Sequence, residues 1–347
     1  SSENWKDLVV GVAFSPLNMR YTVYSKHIAV HLRKRLTKHL FNKPNIAMVV
    51  ASAGQEISGD DWDGVFVIDG LHQLNFFRRN GSPTLPLFEY SGADNEMWTR
   101  KANISPSFSR SLVSSLSNEF DYLENAANIE DWDGCGNKSN TIGPREIFDW
   151  IYAVLHSPLY RSNCAKLLKS SFPHIPLPKD GAIFLALATL GSKLVSLHLL
   201  RVDEVPQLHN PDVVFLGSGE ARVERGYPKF KNGKVMINAD RWFEDVSLRT
   251  WEHHVGGYQI LQKWLKDRAG KGGRKPTQGR ILTDEDILHC RRVIAVLSET
   301  KHLMAEIDQI ISQHGGWPDA FYAPPPPPPT VEEIIQAEES RGFLRLG

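Results

Sequence analysis

Six large apolar side chains, Ile183, Phe184, Leu187, Leu190, Leu194 and Leu197, recur at helical spacing behind Asp180, a residue suited to cap a helix N-terminus. A helix this apolar has to be wrapped by other elements, so the chain must build a large core around it. Its longest apolar run, residues 182–190, is about half a membrane span, which argues for a core helix and against a transmembrane one. With 347 residues there is material for two domains or one large one.

Elements on either side differ in kind. Residues 45–52 and 65–69 are short apolar runs bounded by Gly, Asn or Asp, the pattern of buried strands. Residues 25–40 suit either a basic helix or an irregular arm. Residues 91–143, rich in Ser, Asn, Asp and Gly, read as a variable connection with a helix around 109–124. Beyond it, Phe148, Ile151, Tyr152 and Leu155 share one helical face, and Pro158 should kink or end that helix. Pro173, Pro176 and Pro178 read as an extended linker. Strand-like pieces at 213–216 and 235–238 precede a helix at about 258–267, a Gly-rich basic loop at 270–275, and a last long helix opened by Thr283. A run of six prolines, Pro324 to Pro329, then leads to an acidic segment in which Thr330 and Glu333 resemble a capping box.

The charge balance, 40 Lys+Arg against 40 Asp+Glu, argues at first against a nucleic-acid partner. The charges are segregated, however. No acid occurs between Asp7 and Glu56, a stretch that holds Arg20, Lys26, Arg33, Lys34, Arg35, Lys38 and Lys43, interleaved with His27, His31, His39, Tyr21 and Tyr24. A second cluster is Arg222, Arg225, Lys229, Lys231 and Lys234. A third is Lys263, Lys266, Arg268, Lys271, Arg274, Lys275 and Arg280. Glu332, Glu333, Glu338 and Glu339 lie in the tail. Three acid-poor clusters suit a phosphate backbone, where Lys and Arg displace condensed counterions. Three cysteines, Cys135, Cys164 and Cys290, form neither a CxxC knuckle nor a disulfide framework, which fits a cytoplasmic location. The chain opens on Ser1 with no signal core, as expected of a processed chain or a piece of a longer one.

Catalytic patterns are weaker. FLGSG at 215–219 resembles the loop that receives S-adenosylmethionine in amino-methyltransferases, and SPLY at 157–160 resembles their motif for the target amino group. Such a glycine loop should open a helix, whereas the residues after Gly219 read as a second strand. SPLY also lacks the second proline. A hairpin turn and a helix end account for both. Asp212, Glu220 and Arg222 faintly resemble a metal-dependent nuclease, but Arg replaces the tunable Lys. Among 13 histidines none forms a helical pair with a carboxylate third ligand, and no GxSxG elbow occurs, so no metal site and no catalytic residue is expected.

Longer segments carry a more specific resemblance. Residues 147–161 (IFDWIYAVLHSPLYR) and 172–178 (FPHIPLP) resemble the C-terminal specificity region of type ISP restriction–modification enzymes and related adenine-specific DNA methyltransferases. Residues 14–21 (FSPLNMRY), 66–69 (FVID), 85–90 (LPLFEY) and 256–268 (GGYQILQKWLKDR) are similar to further segments of that family, as are the FLGSG turn and residues 235–238. The match runs from about 8 to 312; the opening motif reads FSPLN in place of RPFD, and the proline tail has no counterpart. The resemblance implies a target-recognition domain that grips duplex DNA beside a separate methyltransferase domain or subunit. That domain would hold S-adenosylmethionine and flip and N6-methylate an adenine, with no cofactor in this chain.

The expected fold is α+β, with an α/β DNA-recognition lobe at 1–143, a mainly helical lobe with a small β-hairpin at 144–318, and a Pro-rich linker with an acidic tail at 319–347. Expected phosphate contacts are Arg20, Lys26, Arg33, Lys34, Arg35, Lys38, Lys229 and Lys231. Expected base readers are His72, Gln73, Asn75, Arg78 and Arg79, in the polar stretch after Asp69. No membrane partner is expected. Two alternatives remain: a compact methyltransferase using Gly217, Gly219 and Tyr160, and a protein-interaction subunit that docks through its proline-rich tail.

Overall fold

A computed structural model describes residues 5–25, 33–51, 62–78, 82–92, 99–124 and 133–322. Short strands dominate the first half: β1 (Val9–Ser15), β2 (Asn18–Val23), the single-turn helix α1 (Lys34–Thr37), β3 (Ala47–Val50), β4 (Val65–Ile68), β5 (Leu71–His72), β6 (Thr84–Pro86), β7 (Phe88–Ser91) and β8 (Thr99–Ala102). β1 and β2 form a hairpin with Val12 opposite Arg20, and β1 also pairs in parallel with β5. β3 runs antiparallel between β4 and β6. Every residue of β3 and β4 is buried, as their continuous apolar runs require. The helix expected at 109–124 is displaced: α2 spans Pro106–Ser115. Ser117 and Asn118 then adopt positive φ, a left-handed conformation in which a helix cannot continue. β9 (Asp121–Tyr122) and β10 (Thr141–Ile142) follow as a short parallel pair.

The second half combines a set of helices packed on one another with a four-stranded antiparallel sheet. Its elements are α3 (Pro144–His156), α4 (Pro158–Asn163), α5 (Ala165–Ser170), β11 (Leu177–Pro178), α6 (Gly181–His198), β12 (Phe215–Gly217), β13 (Lys229–Lys231), β14 (Lys234–Met236), β15 (Arg241–Phe243), α7 (Leu248–Trp251), β16 (His254–Val255), β17 (Tyr258–Gln259), α8 (Ile260–Lys266), α9 (Asp284–Gln313) and β18 (Phe321–Tyr322). The caps act locally, as their side chains dictate. Asp180 accepts the Ile183 amide at 3.0 Å, and Thr283 with Asp286 forms a capping box on α9. Pro158 ends α3 as expected, and a new helix starts at once because Ser157 Oγ accepts the Tyr160 amide at 3.0 Å. The stretch read as a proline linker is partly strand: β11 pairs antiparallel with β18.

α6 is the central helix. Its 18 residues have a mean hydropathy of 1.4, so by length and composition it could cross a membrane, contrary to the estimate from its longest apolar run. Burial explains its apolarity instead: 67% of it lies inside the protein, packed against α3 and α9. α3 is buried on nearly every side, not along one face, with Trp150, Tyr152 and Ile147 fully enclosed. One hydrophobic cluster runs from Ala13 to Phe321, and Phe66 of β4 stacks on His198 of α6 at 4.8 Å. Ala320 and Phe321 belong to this core, so residues 319–322 are part of the packed body. Lys26, Arg79, and the proline run and acidic segment within 323–347 lie outside the described residues.

Candidate nucleic-acid interface

α1 holds one turn because its inner side is pinned. Leu36 packs on the core, His39 and Leu40 are buried, and the Thr37 hydroxyl accepts from Tyr24 at 2.8 Å. That leaves Lys34, Arg35 and Lys38 exposed on the outer side. Among the described residues none of the three lies within ion-pair distance of a carboxylate. Arg33 is different. It is half-buried at the start of the turn, and burial lowers its pKa.

Arg33 reaches toward the turn that follows β5: its Nη1 lies 3.4 Å from His72 Nε2. His72 Nδ1 is 2.9 Å from the Gln73 carbonyl, so it carries the proton, and Nε2 accepts from the Thr84 hydroxyl at 2.9 Å. Both ring nitrogens are thus engaged inside the protein. Burial, reinforced by the charge of Arg33, lowers the His72 pKa to about 4. Past His72 the chain is held on both sides. The Gln73 amide donates to Ala13 O at 2.9 Å, the Arg78 amide donates to Gly256 O at 2.8 Å, and Phe76 and Phe77 are sunk in the core. Asn75 and Arg78 are exposed on this braced turn, and Gln73 is half-buried. Gly256 is required there: its φ is +56°, and a Cβ would sit 1.9 Å from Phe77 Cδ1.

Arg20 has a partner far away in sequence. Its Nη2 is 3.1 Å from Asp267, which also takes Lys263 at 2.5 Å, and its guanidinium lies 3.6 Å over the Phe14 ring. An exposed pair of this kind adds little stability, but it orients Arg20 toward α8. Lys229 and Lys231 are exposed on the edge strand β13, where Phe230 between them turns inward to stack on Trp251 at 5.7 Å. Lys229 lies 4.7 Å over Tyr227.

The catalytic patterns are structural. Tyr160 of SPLY is fully buried and donates its hydroxyl to His174 O at 2.9 Å, so it cannot reach a base. Ser157 Oγ donates to Asp308 at 2.5 Å, tying the start of α4 to α9. FLGSG ends β12 in a turn, and no helix follows Gly219. Glu220 is taken by Arg222 at 2.9 Å. Among the described residues no group of three His, Cys, Asp or Glu side chains could hold a metal ion. His156, His198 and His253 are buried, with burial holding each neutral; the Tyr152 hydroxyl is 2.6 Å from His198 Nδ1.

Sequence reasoning left Tyr258, Lys263 and the 270–280 loop off the list of contacts, although the third basic cluster was visible in composition. The surface around them is continuous. The Arg78 amide meets Gly256, Tyr258 and Phe14 both lie under Lys263, and Asp267 joins Lys263 to Arg20. The structure therefore joins the exposed cations of α1 and the braced 73–78 turn to a set of ion-paired cations around α8, on a mixed α+β body. The sequence profile of the Type ISP C-terminal specificity domain matches residues 1–306, and the chain belongs to that family.

Solved structures carry the same fold. A nuclease-deletion mutant of the Type ISP restriction–modification enzyme LlaGI, in complex with a DNA substrate mimic, is 18% identical with a TM-score of 0.57. It covers 86% of this chain and 20% of its own. The ATP-dependent Type ISP restriction–modification enzyme LlaBIII bound to DNA is 16% identical, with a TM-score of 0.62 and coverage of 88% and 18%. A DrdV–DNA complex is 17% identical, with a TM-score of 0.63 and coverage of 88% and 29%. This chain thus spans less than a third of the length of each. No curated protein matches it.

Proposed function

We propose that this chain recognises a specific sequence in double-stranded DNA, as the target-recognition domain of a restriction–modification adenine-N6 DNA methyltransferase. Membership of the specificity-domain family carries the reading. The exposed cations of α1, with no carboxylate partner among the described residues, beside the braced turn at 73–78 support it: Lys34, Arg35 and Lys38 hold phosphates, while Asn75 and Arg78 on the turn reach base edges. Arg33 and His72 join the two parts instead of touching DNA. Lys229 and Lys231 add phosphate contacts from β13. An adjacent methyltransferase domain or subunit, in the cytoplasm, binds S-adenosylmethionine and does the chemistry.

The test is a salt titration of duplex binding by the Lys34/Arg35/Lys38→Ala variant. Affinity should fall on all sequences alike, and the slope of log K against log salt should drop by about 2 to 3. A variant that binds as tightly as the parent at every salt concentration refutes the phosphate assignment.

A further inference from the structure

The connection from α8 to α9 is a braced basic finger. Lys271 and Thr277 close it with two backbone hydrogen bonds of 3.1 and 2.9 Å. Its base is strapped to the strand-like segment at 222–223: the Gly270 amide donates to Val223 O at 3.1 Å, and the Val223 amide donates to Arg280 O at 3.0 Å. The Arg280 amide donates to Arg268 O at 2.8 Å, joining the two arms of the loop. Residues 271–278 are all exposed, while Gly279 at the base is buried. Three anchoring bonds at the root, and two that close the loop above it, give an exposed projection with a fixed position.

Its charge has one sign. No acid occurs between Asp267 and Asp284, and among the described residues Lys271, Arg274 and Lys275 make no ion pair. A fourth cation joins from the facing segment. Arg225 lies against Gly272, where a Cβ would be 2.6 Å from the guanidinium carbon, so glycine is what lets the arginine lie there. Gathering four cations that make no ion pair among the described residues costs free energy through mutual repulsion, a cost that a polyanion would reverse. Of the acids that line this side, Asp267 and Asp286 are occupied, while Glu285 is exposed and makes no ion pair among the described residues. Asp286 is held by Arg280 at 2.8 Å, and Asp267 by Arg20 and Lys263. Across from the finger stands the edge strand β2, whose Tyr21 is 82% exposed. Tyr21, Arg20, Lys271 and Arg280 line one open groove of about 810 Å³.

We propose that this finger is a second phosphate clamp for duplex DNA. Arg225, Lys271, Arg274 and Lys275 hold the backbone, and Tyr21 packs on the sugars across the groove. The proposal rests on the DNA-recognition reading and extends its footprint from α1, across the 73–78 turn and α8, to the far side of β2. In sequence α1 and the finger are more than two hundred residues apart. In space they are linked through Arg78, Gly256, Tyr258, Lys263 and Arg20.

The test uses the full chain and a mixed-sequence duplex in a salt titration. The Lys271/Arg274/Lys275→Ala variant should lower the salt slope by about 2 to 3 and weaken binding on the order of tenfold to a hundredfold at moderate salt. Its melting midpoint should be unchanged, because the replaced side chains are exposed. A Lys271/Lys275→Arg variant should keep the parental slope, since it keeps the charge. If the parent binds with a steep salt slope and the alanine variant matches it, the finger is not a clamp and the proposal falls while the DNA reading stands. A parent that binds no duplex at all overturns both.

Discussion

Arg33 Nη1 stands 3.4 Å from His72 Nε2, the same nitrogen that takes the Thr84 hydroxyl at 2.9 Å. Sequence reasoning had assigned one of these residues to phosphate and the other to a base. Their meeting makes them the joint between α1 and the 73–78 turn. This matters for substitutions: removing Arg33 would disturb the joint as well as the charge, so Lys34, Arg35 and Lys38 are the cleaner positions to change.

Buried neutral histidines, His72 of this joint among them, make the protein acid-sensitive. Burial lowers His72 to about 4 and His198 to about 3, and holds His156 and His253 well below their ordinary values. Below about pH 6.5 the unfolded chain takes up protons that these neutral rings refuse, so stability present above that pH is lost as pH falls toward 4. Each ring contributes a slope of up to about 1.4 kcal/mol per pH unit. Asp149 and Asp308 act in the opposite sense, because burial raises both carboxyls, that of Asp149 to about 6, but His39 and His289 are lowered by burial as well and add to the four rings. Urea midpoints should therefore fall steadily between pH 6.5 and 4.5; a flat profile there contradicts the assignment.

Gly256 couples the core to the 73–78 turn. In Gly256→Ala the new Cβ meets Phe77 and the backbone is held at positive φ, so stability should drop by about 2 kcal/mol or more. Because Arg78 hangs from the Gly256 carbonyl, preference among DNA sequences should blur more than overall affinity falls. Chemical denaturation together with binding-site selection would separate the two effects; unchanged stability would contradict the packing argument.

Tyr160 discriminates between binding module and enzyme. Tyr160→Phe loses one hydroxyl bond to the His174 carbonyl, worth about 1 kcal/mol, and should leave DNA affinity as it was. Titration calorimetry of the parent with S-adenosylmethionine should give no heat. Heat that disappears in the Phe variant would restore the methyltransferase reading.

Asn75 and Arg78 should behave unlike the cations of α1. Alanine at either position should relax the choice of base by about 1–3 kcal/mol while leaving the salt slope nearly unchanged. Selection from a random duplex pool measures this directly. Unaltered preference in both variants would remove the turn from base reading.

The family segments, the caps at Asp180 and Thr283, the break at Pro158 and the buried strands at 47–50 and 65–68 were all legible in the sequence, because each depends on neighbours within a few residues. The basic clusters were legible too, as composition. Their arrangement was not. Arg20 finds Asp267 across 247 positions, Arg78 hangs on Gly256, and Arg225 lies along the finger, all contacts made by the packing of one shared core. The helix at 109–124 was misplaced because Ser117 and Asn118 adopt a left-handed backbone that their residue types allow but do not demand. The sequence by itself determined that this chain folds as an α+β specificity domain carrying acid-poor basic segments. Only the tertiary structure decided which cations are held by partners and which, among the described residues, face outward without one, because that depends on distances between segments, and local spacing carries no information about them.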